Sequence, residues 1–126
     1  MKNLQGKPRF IGLAGYSLAG LFAIYATYHT EIFERVASMS GSLWFPDFVE
    51  YVEHHEMKRV PEKFYISLGD KESKTRNKIL QTVQDNTEKI VEYYRKQVLS
   101  VEFELNPGNH FKNPDLRTAK GIIAIF

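Results

Sequence analysis

The sequence predicts an α/β fold of three layers, αβα: a mostly parallel sheet of about four strands between helices. Three observations predict it. Short apolar runs alternate with helix-like segments along the whole chain, the order that builds βαβ units. Most of these runs end in small or turn-forming residues, at the strand ends where open sheets gather ligands. The composition, 43% apolar and 25% charged over 126 residues, suits one domain with a sizeable core.

Arg9 to Ala14 is a short apolar run, as expected of a strand covered on both faces. Gly15-Tyr16-Ser17-Leu18-Ala19-Gly20 supplies small residues for a sharp turn. From Leu18 to about Tyr28 the chain is apolar nearly all round, like a helix buried against a sheet. Phe10 to Thr30 holds no Asp, Glu, Lys or Arg, enough chain to span a membrane. Gly12, Gly15, Ser17 and Gly20 interrupt it, so strand plus helix is the better reading and no membrane partner is expected. Arg35 to Ser40 is the second strand, followed by a short helix from Asp47 to about Glu56. Lys63 to Leu68 is the third strand, closed by Gly69-Asp70. An amphipathic helix is expected from about Lys74 to Gln97, with Ile79, Leu80, Val83, Ile90, Val91 and Tyr94 on one stripe. Ser100 to Leu105 alternates like a strand with one wetter face, near a sheet edge. After the turn Asn106-Pro107-Gly108-Asn109, a last helix starts with Asn113 as cap and Pro114 at its first position.

Charge and cysteine content exclude several functions. Lys+Arg number 17 against 15 Asp+Glu, a net charge of +2 with no basic run, so nucleic acid is not an expected partner. Without cysteine there is no disulfide, thiolate metal site or cysteine nucleophile, and no metal or cofactor is predicted. Met1 to Gly6 is polar where a signal peptide would be apolar. The compartment stays open, with the cytoplasm favoured.

The candidate chemistry follows three strands in the order Ser, acid, His. Ser17 sits between strand and helix, where a nucleophile is exposed, a helix dipole favours developing negative charge, and the Leu18 N–H can serve an oxyanion. His110, in the loop after the fourth strand, suits a general base. Either Glu72 or Asp70 could orient its imidazole, with Glu72 preferred; Lys71, Lys74 and Arg76 crowd the same loop, where one of the two acids would merely pair with a cation. Tyr16 and Trp44 are candidates for stacking on a substrate, and Arg76 for steering an anionic one. His54 and His55 fall among charges on a solvated helix face, and His29 near a helix end.

At these residues the chain resembles the esterase branch of the α/β-hydrolase superfamily, with its siderophore hydrolases, S-formylglutathione hydrolases and feruloyl or acetyl-xylan esterases. The resemblance rests on Gly15-Tyr16-Ser17-Leu18-Ala19-Gly20, Met39-Ser40-Gly41-Ser42-Leu43-Trp44, Ser67-Leu68-Gly69-Asp70-Lys71-Glu72 and Asn106-Pro107-Gly108-Asn109-His110-Phe111, four motifs in the family's order. It implies a serine hydrolase acting on small-molecule carboxylic esters. Ser17 would be nucleophile, His110 base and Glu72 acid, although a Ser/His dyad also occurs among such relatives. The elbow departs from the family by reading Gly-x-Ser-x-Ala-Gly. The family carries several strands before the elbow, which supply a second oxyanion donor. Residues 1–126 are therefore expected to be the C-terminal catalytic portion of a truncated α/β-hydrolase fold. A homo-oligomer, or pairing with the N-terminal arm, is expected to cover the exposed edge of the elbow strand. The alternative is a non-catalytic remnant serving as a binding or oligomerisation module.

Overall fold

The structure, a computed structural model, describes residues 9–97 and 100–126. The polar segment Met1 to Gly6, and with it any pairing of the N-terminal arm, lies outside the described residues. The element order is β1 (Gly12–Tyr16), α1 (Leu18–Ala26), β2 (Arg35–Met39), α2 (Phe48–His54), β3 (Lys63–Gly69), a 3₁₀ turn (Leu80–Thr82), α3 (Val83–Lys96), β4 (Val101–Asn106) and α4 (Pro114–Ile125). The four strands are parallel and lie in the sheet in chain order, β1-β2-β3-β4.

That order decides where the helices go. Successive crossovers of one hand return to the same face of the sheet. Accordingly α1, α2 and α3 share one core: Leu21 and Ile24, Phe48 and Val52, and Ile90 and Tyr94 pack with Val36, Phe64 and Ile66. Among the described residues only α4, which crosses to no further strand, covers the opposite face, where Ile125 meets Ala37, Met39 and Tyr65. The alternation Val36/Ala37 and Phe64/Tyr65 thus sends neighbouring side chains into different cores, as period two requires. Tyr28 and Tyr94 join hydroxyls at 2.7 Å inside the larger core, and burial pushes the Tyr28 phenol up to about 12.

The order of strands and helices holds, but β1 lies at Gly12–Tyr16, taking in Gly15 and Tyr16 from the expected turn and leaving out Arg9 to Ile11, and three further corrections follow. The helix expected from Lys74 starts only at Val83. Ahead of it Asn77 Oδ1 accepts the N–H groups of Ile79 and Leu80 at 2.9 and 3.2 Å, an Asx-type turn that competes with helix. Second, β1 is not covered on both faces: as an edge strand it leaves Gly12 and Ala14 exposed. Third, α1 keeps an open apolar side. Leu18, Phe22 and Tyr25 border a groove of about 530 Å³ shared with Phe45 and Tyr51. Among the described residues no helix is long and apolar enough to cross a membrane.

The late start of α3 gives a paired prediction. Ile90 is fully buried, so Ile90→Ala is expected to cost about 2–5 kcal/mol in urea unfolding. Ile79, with 54% of its surface exposed, should tolerate alanine within about 0.5 kcal/mol. Equal losses at the two positions would contradict the boundary at Val83.

Candidate active site

The loops after β1, β3 and β4 and the turn after β2 converge on one cleft of about 400 Å³ at the carboxyl end of the sheet. Its lining includes Ser17, Trp44, Lys71, Lys74, His110 and Phe111, and its size suits a small molecule.

Ser17 stands between β1 and α1 at φ 63°, ψ −124°, a backbone state a non-glycine residue holds at a cost of about 1–3 kcal/mol. The surroundings fix it there. Its N–H donates to the Met39 carbonyl at 3.0 Å, and its own carbonyl accepts from Gly20, Leu21 and Ser42. The turn is so tight that a Cβ at Gly15 would lie 2.2 Å from the Ala19 carbonyl oxygen. Leu18, the first residue of α1, carries one of the N–H groups that a helix start leaves without an internal acceptor.

Ser17 Oγ lies 2.9 Å from His110 Nε2, and His110 Nδ1 lies 2.7 Å from Glu72 Oε1. With its proton on Nδ1, the imidazole donates to Glu72 and accepts from Ser17. The Glu72 side chain is only 3% exposed. Its second oxygen, Oε2, accepts the Gly69 N–H at 2.6 Å and the Ser40 hydroxyl at 2.7 Å. Burial alone would push this carboxyl up. The hydrogen bonds from His110, Ser40 and Gly69 outweigh burial and hold it below its ordinary value of 4.5. This arrangement can pass a proton from a hydroxyl to an imidazole and stabilise the imidazolium that results.

The other sequence candidates divide. Asp70 does not reach His110; its Oδ1 accepts the Gly108 N–H at 3.0 Å and ties the acid loop to the histidine loop. Trp44 lines the cleft. Tyr16 does not: its hydroxyl donates to the His110 carbonyl, fastening the histidine loop from behind. Arg76 is exposed and outside the cleft lining, where the cations are Lys71 and Lys74. His54 and His55 bond carbonyls of their own helix, Glu50 and Tyr51, at exposed positions. Among the described residues no group of three or more His, Asp or Glu side chains is placed to hold a metal ion.

Two residues escaped the sequence reading. Ser40, held at φ 47°, was visible only as part of a motif. Arg117 on α4 is buried and donates toward Glu72, Ser40, Tyr16 and Pro107. A signal existed, because Arg117, Gly121 and Ile125 recur every four residues on one buried stripe.

Comparison with known proteins places the chain in one family and one fold. The family described as "Putative esterase" matches residues 1–113. "Uncharacterized protein YbbA" of Bacillus subtilis (strain 168) is 25% identical over 89 residues, covering 70% of this chain and 36% of that protein. Among solved structures, the siderophore hydrolase EstA from Aspergillus nidulans superposes with a TM-score of 0.69 at 18% identity, over 89% of this chain and 46% of its own. A ferulic acid esterase gives 0.62 at 18% identity, over 90% and 48%. The chain therefore spans between a third and a half of the proteins it resembles.

The depressed Glu72 carboxyl sets the sign of a pH effect. A group that releases its proton more easily when folded stabilises the fold above its ordinary value, and this contribution fades as pH falls through the folded value. The unfolding temperature of the wild type should therefore fall on acidification below about 4.5, and Glu72→Gln should lose less over the same range. Parallel acid profiles for the two proteins would refute the assignment.

Proposed function

Since the chain belongs to the family described as "Putative esterase", we propose that it is a serine hydrolase cleaving carboxylic esters through an acyl-Ser17 intermediate. One observation carries the reading: the unbroken line Ser17 Oγ, His110 Nε2, His110 Nδ1, Glu72 Oε1, with steps of 2.9 and 2.7 Å between residues, beside a cleft.

On this reading the reaction runs as follows. His110 Nε2 takes the Ser17 proton while Oγ attacks the ester carbonyl carbon. The carbonyl oxygen becomes an alkoxide, which the Leu18 N–H and the dipole at the start of α1 stabilise. Collapse of the tetrahedral intermediate breaks the bond to the alcohol, and His110 returns the proton to the departing oxygen. Water then repeats the sequence on the acyl-enzyme and frees the acid. Glu72 keeps the Nδ1 proton in place throughout and offsets the charge of the imidazolium. Trp44 and Phe111 give the substrate apolar contact in the cleft.

The Leu18 N–H is one oxyanion donor, and a single such donor is worth about 10²–10³-fold in turnover. A fluorophosphonate probe reads the nucleophile even when turnover is slow. It should label the wild type and leave Ser17→Ala unmarked. A wild type that takes no label would favour the alternative, a hydrolase-fold module that binds without turnover. The acid is assigned by comparing variants on a p-nitrophenyl ester. Glu72→Gln should lower kcat/KM by about 10²–10⁴-fold, and Asp70→Asn by less than about tenfold. The reverse order would move the role to Asp70, and two small effects would reduce the site to a Ser/His dyad.

A further inference from the structure

Arg117 is the largest fully buried side chain among the described residues, at 2% exposure. A guanidinium does not lose its proton inside a protein, so this is a permanent buried charge that needs compensation. Its two terminal nitrogens reach four separate segments. Nη1 donates to Ser40 Oγ at 3.1 Å, to Glu72 Oε2 at 3.4 Å and to the Tyr16 hydroxyl at 3.4 Å. Nη2 donates to the Pro107 carbonyl at 3.2 Å. One side chain on α4 therefore touches the elbow strand, the turn after β2, the acid loop and the histidine loop.

Its partners pass the contact inward. Ser40 donates to Glu72, and Tyr16 donates to the backbone carbonyl of His110. Pro107 begins the turn that carries His110. The three donors on Glu72 Oε2, from Gly69, Ser40 and Arg117, leave Oε1 to His110 and prevent the carboxylate from rotating. The convergence is tight: a Cβ at Gly69 would lie 2.4 Å from the Gly108 carbonyl, 2.9 Å from Arg117 Nη2 and 3.0 Å from Glu72 Oε2.

We infer that Arg117 is a positioning residue for the hydrolase reaction, holding Glu72 and the histidine loop in register with Ser17 and supplying the buried countercharge of Glu72. The inference rests on the serine-hydrolase reading above. Lysine would keep the charge but concentrate it at one nitrogen, unable to span Ser40 and Pro107 together. The titratable groups facing the guanidinium are Tyr16 from β1 and Glu72 from the acid loop, with His110 beyond Glu72. Lys120 on the same helix is turned to Glu104 and Asn106.

The test compares wild type, Arg117→Lys and Arg117→Met on a p-nitrophenyl ester across pH, alongside the low-field proton spectrum of each protein. Removing a buried positive charge makes every proton in the network easier to keep. The acid limb of kcat/KM in Arg117→Met should therefore move to higher pH, with kcat down about tenfold or more and KM within about threefold. The His110 Nδ1–H resonance, identified by its loss in His110→Gln, should vanish in Arg117→Met and survive in Arg117→Lys. A purely structural arginine would lower the unfolding temperature and leave both limb and resonance in place; that result overturns the inference. Should Arg117→Met fail to fold, Arg117→Lys decides: the acid limb holds while kcat falls, and a wild-type kcat overturns the proposal. The resonance needs no turnover. A wild type without Ser17-dependent hydrolysis would sink the hydrolase reading, while the variants' spectra still judge the positioning role.

Discussion

Glu72 carries its carboxylate at 3% exposure, and a charge is tolerated there only when donors replace the water it gave up. Those donors come from four places: the Gly69 N–H at the end of β3, the Ser40 hydroxyl after β2, the His110 ring after β4 and the Arg117 guanidinium on α4. Each donor is held by a different element, so satisfying one carboxylate fixes the ends of three strands and one helix relative to each other. Exposed pairs such as Lys96–Glu92 or Lys120–Glu104 have no such reach, because water competes for both partners.

The elbow obeys the same logic through backbone bonds. Ser17 occupies a conformation that no local preference favours, yet its N–H and C=O are tied to Met39, Gly20, Leu21 and Ser42. The strain is met by the end of β2 and the first turn of α1 on one side and the post-β2 turn on the other. A residue so constrained presents its hydroxyl in one place.

Much of this was legible in the sequence, because the signals were local. Alternating apolar runs located all four strands, and small residues around Ser17 located the elbow. Which of Asp70 and Glu72 meets His110 needed the loop's path: backbone bonds from Asp70 to Asn106 and from Lys71 to Gly108 bind the two loops side by side and bring Glu72 to the imidazole. What stayed hidden depended on partners far along the chain. Arg117 looks like any surface cation until β2 and the acid loop close over it. The start of α3 was misplaced because Ile79 and Leu80 continue the apolar stripe, while Asn77 diverts their N–H groups. Exposure of Phe22 and Ala14 follows from strand order, which a linear sequence does not print.

The strand order also bears on how the molecule assembles. Each ladder joins strands that follow one another in the chain, so every sheet contact closes a loop of moderate length at modest entropic cost. The cleft is different, for Ser17 and His110 are 93 residues apart. Their meeting requires all four strands in place and is among the most non-local contacts in the fold. Ser17 and His110 therefore come together only once β1 to β4 are all paired in one sheet.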